Sequence, residues 1–440
     1  MVQFNTVSEI IEAVKEQEID FIKFRFSDTD GMFNEIDVPA SRLEYAFSKG
    51  LPFDNSVGGT FKPTGSDLIL KPDPRTFSIL PDNKSNQFIG SVICELIFLD
   101  GQPFDGCARS ALKLFVRKIY QSGSTFSVSS SLSFYLFDQK TVLSILSSDS
   151  AQRAGFDAET FRNAEKIKQK ILASLKNADI DVISLRQTKA DGPFTIVFKE
   201  GSVLRVADNI MISKSLIYEI AQNNGLYASF MAKPFSDADG LSMSFGFVLM
   251  KNEFNDFYHP SKDMMISDSA RFFIGGLFKH IRGICAVTNP TINSYKRLIQ
   301  KGRAPYYISW SAIDRNSLVR LPSSRGRATR IEIQNADSSC NPYLSLLVYL
   351  SAGIWGMENA ELPPDPVNFE THDYSESEKQ ALSAGTLPNT LLEALGCFSE
   401  DSLLQEALGE SISSSLIQIE TAEWNDYIGC VHLWELEKYL

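Results

Sequence analysis

The stretch from Phe126 to Asp138 reads FSVSSSLSFYLFD, and its alternation decides the architecture of the larger part of the chain. Phe126, Val128, Leu132, Phe134 and Leu136 alternate with Ser127, Ser129, Ser131, Ser133 and Tyr135. Successive side chains of a strand point to opposite faces, so this is a strand with one apolar face and one face of small hydroxyls. A second stretch, LSMSFGFVL from Leu241 to Leu249, repeats the arrangement. Leu241, Met243, Phe245, Phe247 and Leu249 share one face, while Ser242, Ser244 and Gly246 share the other. Both strands can lay their apolar faces on one core and turn their small polar faces towards one cavity.

Helical spacing takes over on either side. Ala108 to Gln121 buries Leu112, Phe115, Val116 and Ile119 at helical intervals, with Gly123 just past its end. Further helices fit 159–176, 208–224 and 268–282, and strands fit 182–187, 194–198 and 227–231. Asn341-Pro342 supplies an N-cap followed by proline at the first helical position. Residues 361–367 read as a loop, and the C-terminal part returns to helix.

The first hundred residues are short strands and turns after an amphipathic helix that opens near Thr6. Ile22, Phe24 and Phe26 alternate with polar residues, residues 28–31 supply turn chemistry, and Met32 to Val38 can return as the partner strand. A short helix fits Ser41 to Phe47, stopped by Gly50, and strands fit Leu68–Lys71 and Ile89–Leu99. The chain therefore divides into a small β-rich domain, 1–105, and an α+β domain with a large antiparallel sheet, 106–440.

Composition excludes several classes. In 440 residues, 42 Lys plus Arg face 54 Asp plus Glu, a net charge of −12 that repels phosphate backbones and anionic lipids. No apolar run reaches the roughly 18–20 residues of a membrane span, and the start lacks a basic-then-apolar signal pattern. Six cysteines stand without CxxC spacing, and there are four histidines. That disfavours a disulfide scaffold or a Cys/His zinc site and points to a cytoplasmic chain.

Several segments resemble the glutamine synthetase family. Asn289-Pro290-Thr291-Ile292-Asn293-Ser294-Tyr295-Lys296-Arg297-Leu298 stands almost letter for letter as that family's NPTxNSYKRL segment. Phe230 to Pro234 is similar to its FMPKP, Ala328 to Ile333 to its ARRIEVR, Asn341 to Leu344 to its ANPYL, and Leu387 to Leu395 to its LPxSLxEAL. The loop Phe53 to Gly59 resembles its FDGSSIGG, one residue shorter. The resemblance implies a β-grasp-like N-terminal domain followed by a catalytic domain shaped as an open antiparallel β-barrel with helices. It also implies the reaction: glutamate attacks the γ-phosphate of ATP, and ammonia displaces the phosphate from the acyl phosphate formed. Two divalent cations and several arginines serve this phosphoryl transfer, the metals being held by five glutamates and one histidine.

Position by position, the chain departs from that pattern. Serines 131 and 133 replace the glutamates of the Glu-x-Glu strand, Gln187 and Thr195 replace the next two, and Ser244 replaces the histidine. Glu332 is the one metal ligand kept. Gly246 stands where a second histidine lies near the nucleotide phosphates. The resemblance makes Arg297 and Gly240 substrate-binding positions, with Asp239 in place of a loop asparagine. It makes Arg315 and the ammonium-side Asp54 retained catalytic positions, and Arg320 and Arg330 nucleotide- or phosphate-binding ones. Arg303 replaces the general base that deprotonates ammonium, and Gln334 replaces an arginine.

Neutral hydroxyls cannot replace carboxylates around a pair of divalent cations. Arg315, Arg320 and Arg330 with Arg303, Arg325 and Arg327 form a basic cluster for phosphate or carboxylate, or for internal salt bridges. Glu332 fits an arginine partner better than a metal. The histidines 259, 280, 372 and 432 lie in no partner motif.

The sequence thus reads as a catalytically silent member of the family, with an assembly, ligand-sensing or regulatory role in nitrogen metabolism. ATP is its candidate nucleotide, and Mg or Mn binding should be weak or absent. The alternative is a divergent ATP-dependent ligase forming an amide on glutamate or another carboxylate. The family's packing implies a homo-oligomer, a hexameric ring or a dodecamer of two, with a genuine glutamine synthetase as a further partner.

Overall fold

The computed structural model describes residues 4, 6–27, 29, 31–53, 67–81, 88–138, 158–187, 192–236, 238–299, 304–367, 375, 377 and 384–440. The first sheet has strands β1 (Phe21–Ser27), β2 (Phe33–Pro39), β3 (Leu51–Phe53), β4 (Leu68–Pro72), β5 (Ser78–Pro81) and β6 (Phe88–Phe98). Their order is β2-β1-β6-β4-β3, with β5 also on β6; β1 and β6 run parallel and the other pairs antiparallel. Ile22, Phe24 and Phe26 point into one core with Leu68, Leu70, Val92 and Leu96. Ile10 and Val14 of the Val7–Glu16 helix close it, and Thr6 caps that helix with a reciprocal bond from Glu9.

The second sheet holds β7 (Ser124–Asp138), β8 (Val182–Gln187), β9 (Phe194–Ser202), β10 (Leu226–Ser229), β11 (Met243–Lys251), β12 (Phe254–Asn255), β13 (Trp310–Ser311), β14 (Val319–Arg320) and β15 (Ile331–Ile333). Its order is β13-β14-β15-β11-β7-β9-β8, with β10 on β7 and β12 on β11. Only β13 and β14 run parallel among these described pairs. The serine-rich strand is therefore central, flanked by β11 and β9. Its apolar side and that of β11 join the main core with the helices Ala108–Gln121, Val203–Asn223, Asp268–Thr288 and Pro342–Glu358. The α+β class expected from the sequence holds, and so does the Asn341 cap, whose side chain accepts from the Tyr343 and Leu344 amides.

Some elements differ from the sequence expectation. The helix expected at 208–224 starts at Val203, and the one expected to stop at 282 runs to Thr288. Gly283 does not break it, because a Cβ there would press on Leu404 Cδ1 at 2.9 Å; the glycine lets two helices approach. Leu241 does not share the core with Met243 and Phe245. It lies before β11 and packs in a separate cluster with Tyr135, Phe137, Phe235 and Ala238. Ser130 falls on the apolar side, buried and without a side-chain partner, where the β7–β9 register shifts.

One ionic cluster ties the first sheet to the helices of the second. Arg109 is 2% exposed and reaches Asp208 through Nε and Nη2, both at 2.9 Å. It also reaches Asp73 at 3.2 Å and Glu95 at 2.9 Å. Tyr343 donates to Asp208 at 2.7 Å. Burial acts to raise the Asp73 pKa, but Arg109, the bond from Arg75 and the charge of Lys113 outweigh it and hold the carboxyl at about 2.

A carboxyl depressed in the folded state contributes stability above its unfolded pKa, and that stability is lost as pH falls through the folded value. Denaturant midpoints should therefore drop between about pH 4 and pH 2, with Asp73 accounting for about 2 kcal/mol of the change. In Asp73→Asn the drop over that window should be smaller. Arg109→Ala, which leaves the buried Asp208 without its cation, should destabilise by about 3–5 kcal/mol in the same titration at neutral pH.

Candidate functional site

The register of β7 with its neighbours builds the site. Antiparallel pairing sets Ser131 opposite Ser244, Ser129 opposite Gly246, and Ser133 opposite Thr195. Gly246 in turn faces Glu332 on β15, and Glu332 faces Arg320 on β14. One polar face thus carries, in sequence across four strands, Ser129, Gly246, Glu332 and Arg320.

The hydroxyls on this face bond one another. Ser131 Oγ and Ser244 Oγ lie 2.7 Å apart, and Ser133 Oγ and Thr195 Oγ1 lie 3.1 Å apart. Gln187 donates through Nε2 to the Gly192 carbonyl at 3.1 Å. Gly246 has no room for a side chain: a Cβ would stand 2.5 Å from Ser129 Oγ and 3.2 Å from both Arg330 Cδ and Glu332 Cγ.

Glu332 is held by cations of the protein itself. Arg330 Nε donates to its Oε1 at 2.8 Å, and Arg320 Nη1 to its Oε2 at 3.4 Å. These charge-assisted bonds occupy both carboxylate oxygens. Among the described residues, no three His, Cys, Asp or Glu side chains gather as a metal-binding group. The donor set described on this face is the hydroxyls of Ser129, Ser131, Ser133, Thr195 and Ser244 beside a paired carboxylate, while Gln187 stands opposite Phe194 in the β8–β9 register, on the core side. Such a set does not fit a pair of divalent cations, which require several charged oxygens.

The loop before β11 closes one end of the polar face. Tyr135 and Phe137 stack at 5.5 Å between centroids, and Phe235 meets both edge to face. Tyr135 donates to the Asp239 carbonyl at 3.0 Å, which anchors the loop bearing Asp239 and Gly240. Gly240 is required there, since a Cβ would meet Arg297 Cγ at 2.8 Å and the Ala232 carbonyl at 2.9 Å.

Arg297, on the Ile292–Leu298 helix capped by Thr291, is 5% exposed. It donates to the Asn335 carbonyl at 2.7 Å and the Gln334 carbonyl at 3.2 Å. Burial pulls its guanidinium pKa down, with Asp337 opposing. The same backbone segment receives the Asn289 carboxamide: 2.8 Å to the Asn335 carbonyl and 3.2 Å to Asp337 Oδ2. Tyr349 donates to Asn335 Oδ1 at 2.8 Å. Asn335, Asp337 and Tyr349 are groups the sequence reading missed, since they follow a motif rather than stand in one.

The other expected positions scatter. Gln334 donates to the carbonyls of Arg315 and Ser317, each at 3.2 Å, and so fastens the turn on which Arg315 stands exposed. Arg325 is spent on the carbonyls of Met264, Ser324 and Pro322, so it does not join Arg320 and Arg330. Arg327 is exposed. Asp54, Arg303 and His372 lie outside the described residues.

Comparison with known proteins identifies the family. Residues 18–99 match the family model of the glutamine synthetase β-grasp domain, and residues 105–439 that of the glutamine synthetase catalytic domain. The glutamine synthetase of Methanosarcina mazei is 36% identical over 441 residues, covering 100% of this chain and 99% of its own. That of Thermus thermophilus is 35% identical, covering 99% of each. Among solved structures, a GmaS/ADP complex superposes with a TM-score of 0.85 at 25% identity, over 98% of both chains. Plasmodium falciparum glutamine synthetase gives 0.86 at 20% identity, over 100% of this chain and 99% of that one, a likeness of fold.

If missing carboxylates alone keep cations from this face, restoring them should create a site. The combined variant Ser131→Glu, Ser133→Glu, Gln187→Glu, Thr195→Glu and Ser244→His should bind Mn²⁺, measured by electron paramagnetic resonance, where the unmodified chain should not. Unchanged Mn²⁺ spectra in a folded variant would mean that these five side chains do not converge.

Proposed function

This chain belongs to the glutamine synthetase family, and on that premise we propose that it does not itself form glutamine. It is a silent member, retained for assembly, ligand sensing or regulation in nitrogen metabolism. The single observation carrying this reading is the polar face of β7 and β11. Its hydroxyls satisfy one another in pairs, and its one carboxylate, Glu332, is neutralised by Arg320 and Arg330.

Transfer of a phosphoryl group between anions depends on fixed positive charge where negative charge develops. Removing one such stabiliser costs about 10²–10³ in rate. Here five of the six metal ligands that the resemblance implies are replaced together, and Arg303 stands where it places a base. A permanent cation accepts no proton and repels ammonium. The reading is also supported by what is kept: buried apolar residues of both cores, on which fold and subunit packing depend. The family resemblance adds a closed head-to-tail ring, a hexamer or two stacked hexamers, to this reading. No helix among the described residues is long and apolar enough to cross a membrane, and a cytoplasmic location suits the composition.

With glutamate, ammonia, ATP and either Mg²⁺ or Mn²⁺, the purified protein should release no phosphate and form no glutamine above blank. Turnover abolished by Glu332→Ala would instead establish a divergent ligase. Sedimentation at micromolar concentration should show an assembly of six or twelve chains; a stable monomer would overturn the assembly role.

A further inference from the structure

The Ala108–Gln121 helix is apolar on two sides. Leu112 and Ile119 join the main core, while Ala111, Leu114 and Phe115 line the first of two cavities along its outer side. Each cavity has a volume of about 560 Å³, and Phe115, Lys118, Ile354 and Glu358 line both, so the two form one groove.

The walls of this groove are helices. Ser110, Leu114, Lys118 and Ser122 line it at intervals of four, one face of the first helix over about 18 Å at 1.5 Å per residue. Ser351, Ile354, Trp355 and Glu358 of the Pro342–Glu358 helix form the other wall. Leu403, Glu406 and Ala407 of the Ser402–Leu408 helix line the first cavity only. Leu114, midway along the stripe, is 46% exposed. A groove of this length between two helices has the dimensions to seat a third of about three turns, laid in by its apolar face.

Its charges define the occupant further. Asp105, Glu358 and Glu406 face Lys118 in the first cavity, and the second adds Lys251 and Asp268. Lys251 is spent on Asp256 and Asp268 on Lys262. Asp105, Glu358 and Glu406 are exposed, and none has an ion-pair partner among the described residues. An apolar floor under a rim of three free acids and one lysine complements a helix with Lys or Arg beside its apolar stripe. The same rim repels an acidic helix or a fatty carboxylate.

We propose that this groove takes an amphipathic helix of a partner protein. Its apolar side chains lie on Leu114, Phe115 and Trp355, and its basic residues face Asp105, Glu358 and Glu406. None of the hydroxyl-face residues lines the groove, so the partner site does not rest on that face being silent.

The test is fluorescence anisotropy of a labelled helical peptide of leucine, alanine and lysine, about 14 residues and roughly 21 Å long, titrated with the full chain. The same peptide with glutamate in place of lysine is the control. The lysine peptide should bind saturably and at least about tenfold more tightly than the glutamate peptide. Leu114→Lys, at a half-exposed position that tolerates a charge, should weaken the lysine peptide at least about tenfold. In the double variant Glu358→Lys and Glu406→Lys the preference should turn to the glutamate peptide. No saturable binding up to several hundred micromolar chain would overturn the proposal. So would equal binding of the two peptides, or a preference that the double variant leaves unchanged. Sedimentation should show Leu114→Lys in the same assembly as the unmodified chain; a smaller one would place a second copy of the chain in the groove and overturn the partner reading. None of these outcomes measures glutamine formation, so the silence of the hydroxyl face stands or falls separately.

Discussion

The antiparallel pairing of β7 with β11 runs without interruption from Leu132 opposite Met243 to Ser124 opposite Lys251, and the rest of the molecule is arranged around it. A slip of one residue would turn Phe245, Phe247 and Val128 to the polar side and the serines into the core. The register is held because one face is thoroughly apolar and packs on long helices. With it fixed, the serines of the two strands have no choice but to meet. The hydroxyl pairs of the candidate site are a consequence of core packing as much as of local chemistry.

That arrangement sets what the polar face can do. Facing carboxylates would repel one another unless cations lay between them. Facing hydroxyls donate and accept at once, and need no third party. The same economy appears at Glu332, whose charge is met by Arg330, just before its own strand, and by Arg320 on the adjacent one. The site is electrostatically closed by the protein's own groups.

Much of the fold was legible because period-2 and period-3.6 patterns are strong in this chain. The Ala108–Gln121 helix begins and ends where its pattern does, and so does the Asn341 cap. Less was legible where tertiary contact overrides local preference. The helix read over 268–282 runs on to Thr288, and Gly283 within it serves a close helix approach. Leu241 keeps the period of β11 but belongs to the loop before it, pulled onto Tyr135 and Phe137.

By itself the sequence determined that residues 131, 133, 195 and 244, which the register sets on the polar face, carry no carboxylate or imidazole. It also determined the two-core plan, because alternation and helical spacing follow directly from which residues avoid water. Only the tertiary structure decided how the remaining charges are used. Arg297 is bound to backbone carbonyls, Arg325 to a distant loop, and Arg109 to acids from three separate segments. The physical reason is that a long cationic side chain spans several ångströms and takes whichever acceptor burial leaves unpaired. That choice depends on the arrangement of the backbone in space and has no period along the chain.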